Sequence, residues 1–386
     1  MTDRALLRLQ LVVFALVSAA FTNIYITQPV LPYLQQEFGV TSAVVSFTIS
    51  AVVLGIALSN LPFGVLADRL PIRPLIVAGS LLVVGGGIIC IITDDIWTLI
   101  GGRFLQGLFV PALTTCLAAF LAKTLPVERL NVVMGYYVSA TVVGGLGGRL
   151  LGGWLHAAEH WRYAFVSAGA FLLVAMLLAL RTLPKAQVVP RQAVSVGFGH
   201  LIRRSELVLL FLCGAGGFAI FSSVFNFLPF RLSEPVFGFS TRQITLMYLV
   251  YVMGIFMGPV AGRIGNRIGS GPTLLLGAAV LGLALLCLLL PSVWAIGFGL
   301  ILVCAGFFTV HAAAVGAINR KLSSGQGRAN ALYVLFYYVG GWVGITLAGF
   351  AYTHLGWLSV VVIGLGWLLL PVWAGLGERR RARLPG

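Results

Sequence analysis

The chain has 386 residues, 59% of them hydrophobic and only 9% charged, with a formal net charge of +15 and a mean hydropathy of +1.02. A soluble domain carries about 25% charged residues, so this chain has too little polar surface to cover its apolar mass. A soluble protein is excluded, and the basic surplus must be explained some other way than by nucleic acid.

A membrane-crossing helix needs about 20 mostly apolar residues, and twelve such blocks can be placed, roughly at 9–34, 44–66, 74–92, 97–122, 130–156, 162–181, 205–230, 242–262, 272–290, 293–316, 328–352 and 356–376. This predicts an all-α membrane protein of twelve spans. Span 1 follows Arg4 and Arg8 and at first resembles a signal peptide, but its apolar run continues to Leu34, so it reads as an uncleaved span. It carries the polar residues Asn23, Tyr25 and Gln28 and the helix-breaking Pro29 and Pro32. The turn after span 2 holds Gly64, Asp68, Arg69 and Arg73. Span 4 contains Arg103, Gln106, Gly107 and Pro111, and span 5 the run Gly144-Gly145-Leu146-Gly147-Gly148-Arg149 with Gly152 and Gly153.

The longest hydrophilic stretch, 182–204, separates a first half, 1–181, from a second half, 205–386, that ends in a short basic tail. Span 7 has Phe225, Asn226 and Pro229, the last expected to mark a kink like those at Pro29 and Pro32. Span 8 has Tyr248 and Tyr251, span 10 His311, and span 11 Tyr333, Tyr337, Tyr338, Gly340, Trp342 and Gly344.

With the N-terminus inside, 20 of the 25 basic residues fall in inside segments and three in outside ones (Arg162, Arg231 and Arg242). This is the positive-inside bias, so both termini are expected in the cytoplasm and the net charge reports topology. The five cysteines lie in apolar spans without paired spacing, so neither a disulfide framework nor a metal site is implied. No phosphate-binding loop, zinc-protease signature or nucleophile elbow is present, so neither an enzyme nor a cofactor is expected.

The pattern occurs twice. The glycine run from Gly144 returns 196 residues on, from Gly340, and Gly64 to Arg73 returns 194 residues on as Gly258 to Arg267. Two parallel copies of one unit are the mark of a transporter built around a central site.

These residues resemble the major facilitator superfamily. Gly64 to Arg73 is similar to its loop signature between spans 2 and 3, with Leu70-Pro71 replacing the usual glycine. Arg103, Gln106 and Gly107 match its Arg-x-x-Gln-Gly signature. Gly144, Gly148, Gly152 and Gly153 match its antiporter signature, with Arg149 where proline is usual. The runs Tyr25 to Pro32 and Asn226 to Leu232 further resemble a bacterial subgroup of inner-membrane efflux permeases. The resemblance implies a twelve-helix fold in two pseudo-symmetric halves, a monomer, and alternating access in the bacterial inner membrane. It also implies a gate at Asp68 closing on span 11 of the other half, and a coupling role for Arg103. For Asp68 the alternative is an ordinary solvated turn, and the second copy has Gly262 in its place.

Arg149 faces three readings: contact with an anionic ligand, contact with backbone carbonyls, or snorkelling to the interface. No Asp or Glu lies deep in a span, so the deep titratable candidate is His311. The expected substrate and coupling residues are Arg103, Arg149, Gln106, Asn23, Tyr25, Gln28, Asn226, His311 and Tyr337. The gating candidates are Gly64, Asp68, Arg69 and Arg73. Gly144, Gly148, Gly152, Gly340 and Gly344 should let spans 5 and 11 press on partners across the two halves.

The leading expectation is proton-coupled export of a small organic solute. The second is an organic-anion carrier using Arg103 and Arg149, and the third a non-transporting membrane receptor. The partners are a solute, protons and the bilayer, not nucleic acid.

Overall fold

A computed structural model describes residues 3–183, 197–322 and 324–381. Most of the expected linker, at 184–196, and the tail at 382–386 lie outside the described residues. The described chain is helical throughout, without strands. In lipid every backbone polar group must find a partner within the protein, and a helix achieves this within one segment.

Eleven segments are long and apolar enough to cross a membrane. They are span 1 (Arg4–Phe38), span 2 (Ser42–Arg69), span 3 (Ile72–Ile92), span 4 (Ile96–Thr124), span 6 (Arg162–Thr182), span 7 (Ser205–Ser233), span 8 (Thr241–Ile268), span 9 (Ser270–Cys287), span 10 (Val293–Arg320), span 11 (Gln326–Leu355) and span 12 (Trp357–Arg381). Span 5 is the helix Val127–Leu150, 24 residues, continued by a π-helical turn at Leu151–Leu155. At 1.5 Å per residue its regular part is about 36 Å long, enough to span a bilayer.

The chain forms two compact units. The first comprises Met1–Val40, Phe47–Gln192 and Ser240–Tyr248. In it span 1 packs on spans 5 and 6, and span 3 on spans 4 and 6. The second comprises Thr41–Ser46, Ala193–Phe239 and Leu249–Gly386. There span 7 packs on spans 11 and 12, and span 9 on spans 10 and 12, the same pairing six spans later.

The glycines permit this pairing, though their partners differ from expectation. A Cβ on Gly144, Gly148 or Gly152 would lie 2.3, 2.2 or 1.9 Å from the carbonyl oxygen of Ser18, Thr22 or Ile26 in span 1. A Cβ on Gly340 would lie 2.4 Å from the Ala215 carbonyl oxygen, and one on Gly344 2.8 Å from Ala219 Cα, both in span 7. Each glycine stripe thus serves a helix of its own half. Identical four-residue spacing on the facing helices lets backbones approach without side chains between them.

The prolines also behave unequally. Span 1 stops being helical after Ile24, makes a short 3₁₀ turn at Gln28–Val30, and resumes at Leu31–Phe38. Span 4 has one irregular residue, Thr114, just after Pro111. Pro229, expected to kink span 7, sits inside a helix that runs from Ser205 to Ser233. Span 8 instead has an unanticipated 3₁₀ stretch at Tyr248–Val252.

Candidate functional site

The break in span 1 organises the polar interior of the first unit. Beyond Ile24 the helical ladder fails. The Gln28 N–H turns to the Tyr25 carbonyl at 3.2 Å, and Pro29 has no N–H to give. The Ile24 carbonyl therefore loses the N–H it would meet in a continuing helix. Arg103, fully buried, fills the gap. Its guanidinium donates to the carbonyls of Asn23 (2.6 Å), Ile24 and, from span 2, Thr48 (2.9 Å). It also donates to Gln106 Oε1, and Gln106 Nε2 donates on to the Val83 carbonyl of span 3 at 3.1 Å. One side chain thus ties spans 1, 2 and 4 together, with its cation at the negative end of the first helical segment.

Arg149 enters the same break from span 5 and is also fully buried. Its Nε donates to Gln28 Oε1 at 2.7 Å and its Nη1 to the Gly145 carbonyl at 2.6 Å. The guanidinium lies over the Tyr25 ring at 4.1 Å and near the Tyr248 ring at 5.0 Å. Both aromatic faces offer negative quadrupole density to the cation. Arg103 belongs to no ion pair among the described residues. Arg103 with Gln106 thus meets span 1 at the Asn23 and Ile24 carbonyls, and Arg149 meets it further along at Gln28 and the half-buried Tyr25.

The second unit holds a different kind of site. Span 10 carries His311, whose Nδ1 is 3.0 Å from the Tyr333 hydroxyl of span 11. The imidazole packs edge-on to Tyr337 (5.6 Å between centroids) and beside Phe307 (6.0 Å). Tyr337 stacks on Phe218 of span 7 at 3.8 Å and 12°. Phe221, Phe225 and Tyr251 extend the wall, with Phe221 stacked on Phe307 at 4.1 Å. His311, Tyr337, Tyr338 and Phe308 are half-buried, so this wall keeps part of its face open. Sequence reasoning named the tyrosines and His311 but missed Phe218, Phe221 and Phe307. Aromatics in an apolar helix carry no signal that separates a wall from ordinary packing.

Asn226 stands apart from both groups. It is fully buried and donates from Nδ2 to Ser46 Oγ at 3.0 Å.

The gating candidates lie at one end of the first unit. Asp68 pairs with Lys123 of span 4 at 2.6 Å, and Lys123 also donates to the Ala67 carbonyl at 3.0 Å. Arg73 Nε donates to the Leu183 carbonyl, just past the end of span 6, at 2.7 Å. Arg69 is exposed, and a Cβ on Gly64 would meet nothing within 4 Å. At another edge of this unit, Glu37 accepts from Trp161 Nε1 (2.7 Å) and Arg162 (2.8 Å), and Arg162 reaches Asp94 at 2.9 Å. This cluster joins the ends of spans 1, 3 and 6 and was not anticipated.

The family model described as Major Facilitator Superfamily matches residues 13–320 and 237–385. The chain belongs to the major facilitator superfamily. It is 30% identical over 384 residues to the inner membrane transport protein YnfM of Escherichia coli (strain K12), covering 97% of this chain and 91% of that protein. It is 27% identical over 350 residues to an uncharacterised transporter of Buchnera aphidicola subsp. Schizaphis graminum (strain Sg), covering 89% and 84%.

The superfamily fold is equally plain in three dimensions. A bacterial homologue of the human lysosomal transporter Spinster aligns with a TM-score of 0.79 over 98% of both chains, at 16% identity. The human organic anion transporter MFSD10 aligns with a TM-score of 0.72 over 97% of this chain and all of that one, at 18% identity. The protein is thus a multi-pass membrane protein of a transporter family, built on the fold its repeats imply.

Proposed function

We propose that the protein is a secondary transporter that exports a small organic solute across a bacterial inner membrane by alternating access, coupled to protons, with both termini in the cytoplasm. The observation that carries this reading is the half-open aromatic wall around the His311–Tyr333 pair. Such a wall suits an apolar or aromatic solute, with one oriented polar pair to fix its pose. An imidazole, with an ordinary pKa of about 6.5, is the side chain suited to exchange protons near neutral pH. None of the acids lies deep in a span, which disfavours a cationic solute. Arg103, saturated by carbonyls and Gln106, acts in this reading as a positioning residue for span 1. Asp68 and Arg73 hold one end of the first unit.

A second reading, an organic-anion carrier, is favoured by Arg149, a cation buried within a membrane span and held between the Gln28 amide and the Tyr25 ring.

Proteoliposomes holding a pH-sensitive dye separate the two. Wild type should move a neutral aromatic solute with accompanying proton movement. His311→Gln should lose the proton movement and keep solute exchange. Solute movement in wild type with no proton movement would overturn the proton-coupled reading. A melting-temperature shift with benzoate that vanishes in Arg149→Ala would favour the anion carrier.

A further inference from the structure

Span 12 is built from two helices. Its first helix, Trp357–Trp367, ends at Leu368, and a second, Leu369–Arg381, continues it. Around Leu368 lies an apolar groove of about 770 Å³, lined by Ile363, Gly366, Trp367, Leu369, Trp373 and Leu376, among others. Gly366 leaves its floor open, because an added Cβ would meet nothing within 4 Å.

The groove has a direction. Gly366, Leu369, Trp373, Leu376 and Arg380 recur at helical spacing on one face, with Arg379 beside it. Arg379 and Arg380 are exposed. Their acidic neighbour Glu378 is engaged by Lys321 at 3.2 Å and by Arg381 at 3.3 Å. No ion pair among the described residues includes Arg379 or Arg380.

The start of span 9 packs on the buried side of the same helix, at its basic end. A Cβ on Gly271 would be 2.6 Å from the Arg379 backbone nitrogen. Span 9 thereby brings the positive end of an 18-residue helix beside these arginines. Arg320 adds a further cation there by donating to Ser270 Oγ.

We infer that this is a binding site for an anionic phospholipid, with an acyl chain in the span 12 groove and the phosphate on Arg379 and Arg380. Apolar length and cationic end belong to one continuous face. A zwitterionic lipid of the same chains fits the groove but gains less from the two arginines. Basic residues at the end of a span are ordinary. What distinguishes this end is an apolar groove leading toward two arginines that no acid neutralises among the described residues.

The test uses the full-length protein in detergent, supplemented with dioleoyl phosphatidylglycerol, with dioleoyl phosphatidylcholine, or with inorganic phosphate. Phosphatidylglycerol should raise the melting temperature by about 3 °C or more beyond phosphatidylcholine. Native mass spectrometry should show the first lipid retained in preference to the second. Arg379→Gln with Arg380→Gln should abolish that difference, whereas Arg381→Gln, whose arginine is already paired, should keep it. Gly366→Leu, which fills the groove without touching the charges, should reduce retention of phosphatidylglycerol and remains readable should the double variant fail to fold. Equal shifts with the two lipids, or a difference that survives the double variant, would overturn the site. A shift reproduced by inorganic phosphate alone would overturn the role of the groove.

Discussion

Arg103 of span 4 donates to the Ile24 carbonyl at the residue where span 1 ceases to be helical. A helix that stops inside a membrane exposes carbonyls that water cannot reach, and each orphaned acceptor costs about 1–3 kcal/mol. The break in span 1 therefore exists because span 4 supplies the donors. Arg103→Ala strips partners from Asn23, Ile24, Thr48 and Gln106 together. The expected loss is about 3 kcal/mol or more, seen as a marked fall in melting temperature in detergent. Arg103→Lys, with a single compact ammonium, should recover only part of it. A melting temperature within a degree of wild type for Arg103→Ala would remove the clamp from the account.

The glycine stripes predict opposite outcomes at two kinds of site. Gly148→Ala places a Cβ 2.2 Å from the Thr22 carbonyl oxygen, so spans 1 and 5 must separate. Overpacking of this kind costs about 1–3 kcal/mol. Gly64→Ala adds its methyl to open space inside the helix Ser42–Arg69. It should stabilise by about 0.5–1 kcal/mol, because alanine loses less backbone freedom on folding. Thermal melts of the two variants check both signs, and a stabilised Gly148→Ala would contradict the close approach.

How far the sequence carried these conclusions depends on the range of each interaction. The spans were legible because bilayer thickness imposes one length on every apolar block. The glycine stripes were legible as packing faces, since Gly144, Gly148 and Gly152 share one side of a helix. Their partner was not legible, because spacing within span 5 says nothing about which helix faces it. Pro29 and Pro229 looked alike in sequence. Only the first coincides with a break, and that break depends on donors about 80 residues away in span 4. The pairing of Asp68 with Lys123, 55 residues on, is likewise tertiary. Arg149 was readable as an anomaly against the glycines around it, whereas Gln28 and Tyr248 as its partners required the fold.

The setting of Arg149 between two rings gives a measurable coupling. Its guanidinium lies 4.1 Å from the Tyr25 ring centroid in a site closed to solvent. A desolvated cation–π contact contributes about 2 kcal/mol. A double-mutant cycle of Arg149→Gln and Tyr25→Leu should therefore give a coupling of about 1–2 kcal/mol by thermal or chemical melting. Additive effects would mean that the Tyr25 ring does not hold Arg149.

Outside the membrane, Asp95 caps span 4, accepting the Thr98 N–H at 2.7 Å. That backbone hydrogen bond holds the Asp95 carboxyl below its ordinary value. A depressed carboxyl stabilises the fold fully above the unfolded pKa of about 3.9, and the stabilisation is lost as pH falls through the lower folded value. The gap in melting temperature between wild type and Asp95→Ala should be constant from neutral pH down to about pH 5 and close in more acid solution. A gap that widens on acidification would refute the cap.

His311 supplies the sharpest functional prediction, because it shares a hydrogen bond with a hydroxyl that can be deleted cleanly. Tyr333→Phe removes the 3.0 Å contact to Nδ1 and leaves the imidazole and its aromatic neighbours in place. If His311 carries the proton, this variant should still transport, but with the midpoint of its pH–rate profile displaced. His311→Gln, which cannot titrate, should flatten the profile across the range where imidazole changes charge. A merely structural His311 would lower the rate at every pH and leave the shape unchanged. The shape of the profile, more than the size of the loss, decides between the roles.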